Sequence, residues 1–291
     1  MSQSTGNRNA RVAVGRQGEA IGVGSRLQRT LRPGSRWAAI AIVSALAVPA
    51  ASAAVHGEAS PPRPPLHGPV VVLDTAFQAP LHRPDQSGFL DRFLHRAFAA
   101  IGRRVRVQWL PGQRALINAD NGIDDGDAMR IAGLGQRYAS VASHLVEVPA
   151  KLCDMVFVAF ARDPSVRVTG WSSLGRYSLA LVRGYKYIET HTNSRNRVEV
   201  DNAAQLFRLL ERGRADVVLI DEATGLGTLR ALKLTDIHVV GRPLVVMPGY
   251  LYLNQRYRDL VAPLAAAIDR LNAKAPLQAE IDRYYREGDV R

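Results

Sequence analysis

The chain has 291 residues, 47% of them hydrophobic and 22% charged, the composition of a globular protein that buries a sizeable core and not of a disordered or fibrous chain. The formal net charge is +12, but half of it lies before Ala54, where seven arginines face the single acid Glu19, so the basicity is no sign of a nucleic-acid partner. The lone cysteine, Cys153, excludes an internal disulfide, and the histidines never fall at ligand spacing, so neither a metal nor a cofactor is expected.

In chain order, the first element is a leader. Residues 1 to about 25 are rich in Gly, Arg, Ser and Asn without apolar periodicity, and are expected to be disordered, with the true start of translation further on. A basic stretch ends at Arg36, the apolar run WAAIAIVSALAV covers 37–48, and Ala51-Ser52-Ala53 supplies a small-x-small cleavage pattern. These are the three parts of a secretory signal peptide, so 1–53 is expected to be removed on export to the periplasm. The run is short of the ~20 residues a spanning helix needs. A Pro-rich spacer containing PPRPP then occupies 54–67.

The folded part reads as alternating strands and helices. Val70–Leu73 is a buried-strand run ending at Asp74, and TAFQAPLHRPDQSG is a turn-rich loop. Leu90, Leu94, Phe98 and Ile101 recur at helical spacing over 88–101, with Gly102 where a C-cap belongs. A strand over 104–109, a short helix over 112–119, a strand over 126–132 and a longer strand over 151–161 follow. Cys153 falls in that last apolar run, the place of a buried, inert thiol. Pro164 and Gly170 mark a boundary. After it come a strand over 177–182, a short helix beyond Gly184, a strand over 198–200, and a helix capped by Asp201 running to Arg212. A strand over 215–220, a helix over 222–232 and a strand over 237–240 complete the second block. The segment PLVVMPGYLYLN returns to strand character, and two helices, with Leu260, Leu264, Ile268 and Leu271 on one face of the first, end the chain.

Strand–helix alternation in two blocks implies α/β units with parallel strands, in two sheets and not one continuous sheet. Ligands of such sheets bind beyond the carboxyl ends of strands, which points to the loops after Leu73, Trp109, Ile131, Val182 and Ile220. Motifs for chemistry are weak. GWSSLG lacks the spacing of a nucleophile elbow, and Gly133-x-Gly135 opens no dinucleotide fingerprint. Asp124, Asp125 and Asp127 form an acidic turn.

The ordered series VVVLDTAF, GFLDRFLHRAFAAIG, WLPGQRAL, IDDGDAMRIAGLGQRY, GWSSLGRYSLALVRGYKYIE, RGRADVVLIDEATG and PLVVMPGYLYLN resembles extracellular solute-binding protein family 3 over about 68–287. The resemblance implies a type II periplasmic-binding fold, α/β, with two lobes and two hinge crossings. Lobe 1 would comprise 68–161 and 242–291, and lobe 2 would comprise 162–241, with crossings near Arg162 and Gly241. It implies a monomer that traps a small polar, anionic or amino-acid-like solute and hands it to an inner-membrane permease of an ABC transporter or to a sensor, with no catalytic residue. Arg137 in GLGQR sits where the family's carboxylate-clamping arginine belongs, and a guanidinium's planar fork suits a carboxylate. Arg130 and Arg114 fall in or near the same cleft loops. Asp221 matches the amine-binding acid, or caps the helix that follows it. Phe77 matches an aromatic wall. Gly184-Tyr185-Lys186 stands where a Gly-Thr pair is usual, so Tyr185 and Lys186 are further candidates. Two alternatives remain open. One is a cyclohexadienyl-dehydratase-like enzyme using Asp221, Glu222 or Asp127 as acid or base. The other is a ligand-free interaction module, which a cleft filled with apolar side chains would favour.

Overall fold

The computed structural model describes residues 68–140, 142–192 and 196–288. The leader, the Pro-rich spacer and the cleavage pattern lie outside them.

Among the described residues, eight strands and eight α-helices follow one another as the alternating pattern predicts. β1 (Val71–Thr75), α1 (Phe89–Ala99), β2 (Val105–Trp109), α2 (Gly112–Asp120), β3 (Gly126–Ile131) and α3 (Leu134–Arg137) form the first block. After the long strand β4 (Leu145–Ala161) come β5 (Leu179–Val182), α4 (Lys186–His191), β6 (Arg197–Val200), α5 (Ala203–Glu211), β7 (Val217–Asp221) and α6 (Glu222–Leu232). β8 (His238–Asn254), α7 (Arg258–Lys274) and α8 (Leu277–Gly288) close the chain. In α1 the residues Leu90, Phe93, Leu94, Ala97 and Phe98 are fully buried, the stripe that the spacing of the apolar residues dictates. α5 is capped by Asn202, whose side chain accepts from Gln205 N at 2.9 Å, one residue later than the expected Asp201. No described helix is long and apolar enough to cross a membrane.

The sheet departs from expectation in two ways. First, its order is β2-β1-β3-β8-β4-β7-β5-β6, one hydrogen-bonded ladder and not two. Second, it is mixed. β1, β2 and β3 pair in parallel, as do β5, β6 and β7, but β8 is antiparallel to β3 and β4, and β4 is antiparallel to β7. Both corrections have one cause. β4 and β8 are 17 residues each and run together through both halves. β8 pairs with β3 only over Gly249–Leu253, and β4 pairs with β7 only over Phe157–Phe160. The sheet therefore changes neighbours between about 154–156 on β4 and 245–248 on β8, inside both strands. Pro149, Gly241, Pro243 and Pro248 disguise these strands in the sequence. Register shifts at Glu147/Lys151 and Phe157/Ala159 accommodate Pro149, Gly241 and Pro243 as bulges, where proline is tolerated.

Both C-terminal helices pack on α1 and β4 of the first block. Arg92 and Arg96 of α1 reach Glu280 of α8 at 2.6 and 3.3 Å.

Candidate functional site

The loops after β1, β3 and β5 converge with the middle of β4 on a cleft between the halves. It is lined by Phe77, Met129, Arg130, Met155, Phe157, Tyr185 and Lys186, among others. The free volume is ≈ 30 Å³, about enough for two waters. The halves are in direct contact around it. Gly112 opens α2 on one side, and Gly184 follows β5 on the other with a φ of +92°, a region open to glycine. A Cβ on Gly184 would lie 2.2 Å from Gln113 N, so nothing larger fits this closed approach.

Arg130 is the polar centre. It is 7% exposed. Its Nε donates to Asp127 Oδ2 at 2.7 Å, its Nη2 to the Gly112 carbonyl at 2.9 Å, and its Nη1 to the Gly184 carbonyl at 3.3 Å. One guanidinium thus holds a carbonyl from each half. Asp127 is fully buried, and burial outweighs the adjacent guanidinium in pushing its carboxyl above the ordinary range.

Tyr185 lines the same cleft. It is buried, with Phe77 at 6.1 Å and Phe157 at 5.8 Å between ring centroids, the second edge-to-face. Its hydroxyl donates to Asp221 Oδ2 at 3.1 Å. Asp221 Oδ1 accepts from Thr224 N at 2.9 Å, so the same carboxylate also caps α6. Burial raises the Asp221 carboxyl to about 6, against those hydrogen bonds, and raises the Tyr185 phenol well above its ordinary value.

Of the sequence candidates, Phe77, Arg130, Tyr185, Lys186 and Asp221 come together. Lys186 pairs with Glu189 at 2.8 Å at the edge of the cleft. Arg137 and Arg114 are exposed, on α3 and α2, and neither lines the cleft. α3 is one turn long, and Arg137 at its end faces outward. The apolar lining Met129, Met155 and Phe157 was not singled out from the sequence, because an apolar residue in a strand reads as core. Cys153 is buried with Sγ 3.5 Å from Met129 Sδ, and burial pushes its thiol up to about 12, so it is unreactive as expected. Among the described residues no group of three potential metal ligands occurs.

This geometry, two α/β halves hinged by paired long strands and closing on a cleft at strand ends, defines a type II periplasmic-binding fold. Solved structures with the same fold agree. A histidine kinase sensor domain with similarity to periplasmic binding proteins is 17% identical, with a TM-score of 0.62 over 75% of this chain and 95% of that one. The GluR0 ligand-binding core from Nostoc punctiforme in complex with L-glutamate is 17% identical, with a TM-score of 0.60 over 75% and 99%. Holo ArgBP from T. maritima is 17% identical, with a TM-score of 0.59 over 74% and 95%. In sequence the chain is 24% identical to an uncharacterized protein of Shewanella oneidensis over 187 residues, 60% of this chain and 67% of that protein. No protein-family model matches the chain.

Proposed function

We propose that the chain is an exported binding module that captures a small amino-acid-like solute between its halves. Arg130 holds the anionic group, Asp221 the cationic group, and Phe77 and Phe157 the body. The observation that carries this reading is the opposition of Arg130 and Asp221 across an aromatic cleft at the strand ends. Structures sharing the fold, a glutamate-bound core and an arginine-binding protein, support the solute class. Tyr185 is the gate in this reading. Its phenol meets Asp221 where a ligand's ammonium would, so the ligand must displace it. In this reading the exposed Arg114 and Arg137 make no direct contact with the ligand, and Lys186 stands at the cleft's edge, paired with Glu189.

Export by the leader of 1–53 is part of the proposal, and so is delivery of the ligand to a permease or a sensor. The lobes are assigned with their crossings inside β4 and β8. Native mass spectrometry of protein isolated from the producing cell tests the reading. The expected result is an N-terminus near Ala54 and a bound small-molecule mass. A mass equal to the bare chain in every preparation would count against solute capture.

A second reading, an interaction module that closes without a solute, is favoured by one observation: the free volume of ≈ 30 Å³ among mostly apolar side chains. Tyr185→Ala separates the two. If Tyr185 competes with a solute, the truncation tightens binding at least about tenfold, since ~1.4 kcal/mol of displaced contact suffices. If the ring is only core, the truncation costs about 3–5 kcal/mol of stability, and no solute from an amino-acid panel binds.

A further inference from the structure

We propose a second ligand site, on the outer side of the same closure, that takes a small carboxylate with a flat apolar body. It does not depend on the cleft's function. A groove of ≈ 360 Å³ lies between the 78–84 segment, Trp109 and the α6 face that carries Thr228, Ala231 and Leu232. Pockets for small molecules typically span ~300–1,000 Å³, mostly apolar with a few convergent polar groups. This one meets both conditions, which the central cleft, in its closed form, does not.

Three polar groups converge there. His82 is 3% exposed, and its Nδ1 lies 2.8 Å from Asp91 Oδ1. Asp91 is itself fixed, because its Oδ2 accepts from Arg83 N at 2.9 Å and Gly88 N at 3.0 Å. The imidazole is therefore locked in orientation, with Nε2 left for an incoming group. Arg83 lines the groove, is exposed, and forms no salt bridge among the described residues. Asp85, the acid nearest to it in sequence, turns its carboxylate to Ser87 N and Oγ at 3.0 and 2.6 Å. Gln78 Oε1 accepts from Ala203 N at 3.1 Å, which leaves its amide N–H groups. A guanidinium with no salt bridge among the described residues, its charge felt by the exposed Asp85, suits a carboxylate beside an imidazole and an amide. The half-buried Trp109 has its Nε1 committed to the Ala76 carbonyl at 3.3 Å, so the indole offers its apolar surface. Facing it are small side chains of α6, which leave room for a flat ring.

The groove also explains why a ligand here would matter. The segment that carries His82 and Arg83 begins at Phe77 in the central cleft. α6, which supplies the other wall, is capped by Asp221 beside that cleft. Gly227 of α6 is packed so closely on the 79–80 backbone that a Cβ would lie 2.3 Å from the Ala79 carbonyl oxygen. The groove is therefore walled by both halves in close contact, so a ligand bound across it stabilises closure by linkage.

The test is an NMR titration of the ¹⁵N-labelled chain with indole-3-acetate, with benzylamine as the cationic control. The reporter is the Trp109 indole N–H, identified by its loss in Trp109→Phe. The expected result is a saturating shift with a dissociation constant of about 1 mM or tighter, weakened about five- to tenfold in Arg83→Ala. It should be abolished in Ala231→Phe, an exposed position where the larger ring fills the groove. Any of three results overturns the proposal: no saturating shift, an equal shift with benzylamine, or undiminished binding in both variants.

Discussion

Replacing Arg130 with methionine is expected to lower unfolding stability by about 3–5 kcal/mol, because it removes one partner of a buried pair. The side chain is 9% exposed and its partner Asp127 is fully buried, so water cannot take over the lost contacts. The change also strands the Gly112 and Gly184 carbonyls, one from each half. Urea unfolding reads the loss directly. A companion Asp127→Asn change should recover a large part of it, since the uncompensated carboxyl is then gone. A loss of only ~0–1 kcal/mol, the value of an exposed pair, would show that Arg130 is not the bolt of the closed form.

The second large effect is in the pH dependence. Asp74 is fully buried near the end of β1, where Gln108 Nε2 donates to its Oδ1 at 2.8 Å and the Asp124 carboxyl lies close by. Burial, opposed by the Gln108 contact and helped by the nearby Asp124 and Asp127, raises its carboxyl from 3.8 to about 8. The folded chain thus keeps a proton that the unfolded chain releases near 3.8. Between those values Asp74 binds more protons in the folded state, so its contribution to stability is largest at acid pH and is lost as pH rises to about 8. Asp221, raised to about 6, adds a loss of the same sign over the lower part of the window. Asp74→Asn keeps the shape and removes the titration. Its expected gain over wild type grows from near zero at acid pH to on the order of 2–5 kcal/mol at pH 8. Thermal unfolding across that range checks it. Parallel profiles for the two proteins would mean that Asp74 titrates normally and is not held protonated.

The fold was legible because periodicity and punctuation agreed at most elements. The buried stripe of α1 and the apolar strands β1, β5 and β7 are all plain in the residue pattern. β4 and β8 were read only in pieces, as strands over 151–161, 237–240 and PLVVMPGYLYLN, since only tertiary pairing carries a strand through Pro149 and Gly241 as bulges. That single omission concealed both the antiparallel pairings and the continuity of the sheet. At the site, strand ends together with the family resemblance pointed to Phe77, Arg130, Tyr185 and Asp221, which the fold brings together. The pattern could not foresee that Tyr185 bonds to Asp221, because that contact joins residues 36 apart. Arg137 shows the converse. Its motif suggested a clamp, but a one-turn helix carries it outward, and the buried Arg130 one strand earlier holds the centre.

Solute capture by Arg130 and Asp221 is tested most directly by calorimetry with a ligand found on the purified protein or by an amino-acid screen. The comparison is between wild type, Arg130→Lys and Asp221→Asn. Arg130→Lys keeps the buried charge and loses the fork, and Asp221→Asn keeps the shape and loses the charge. The account predicts that each variant binds at least about thirtyfold more weakly, the ~2 kcal/mol or more that a buried charged contact carries at an interface. Binding by both within about threefold of wild type, less than ~1 kcal/mol, would contradict it.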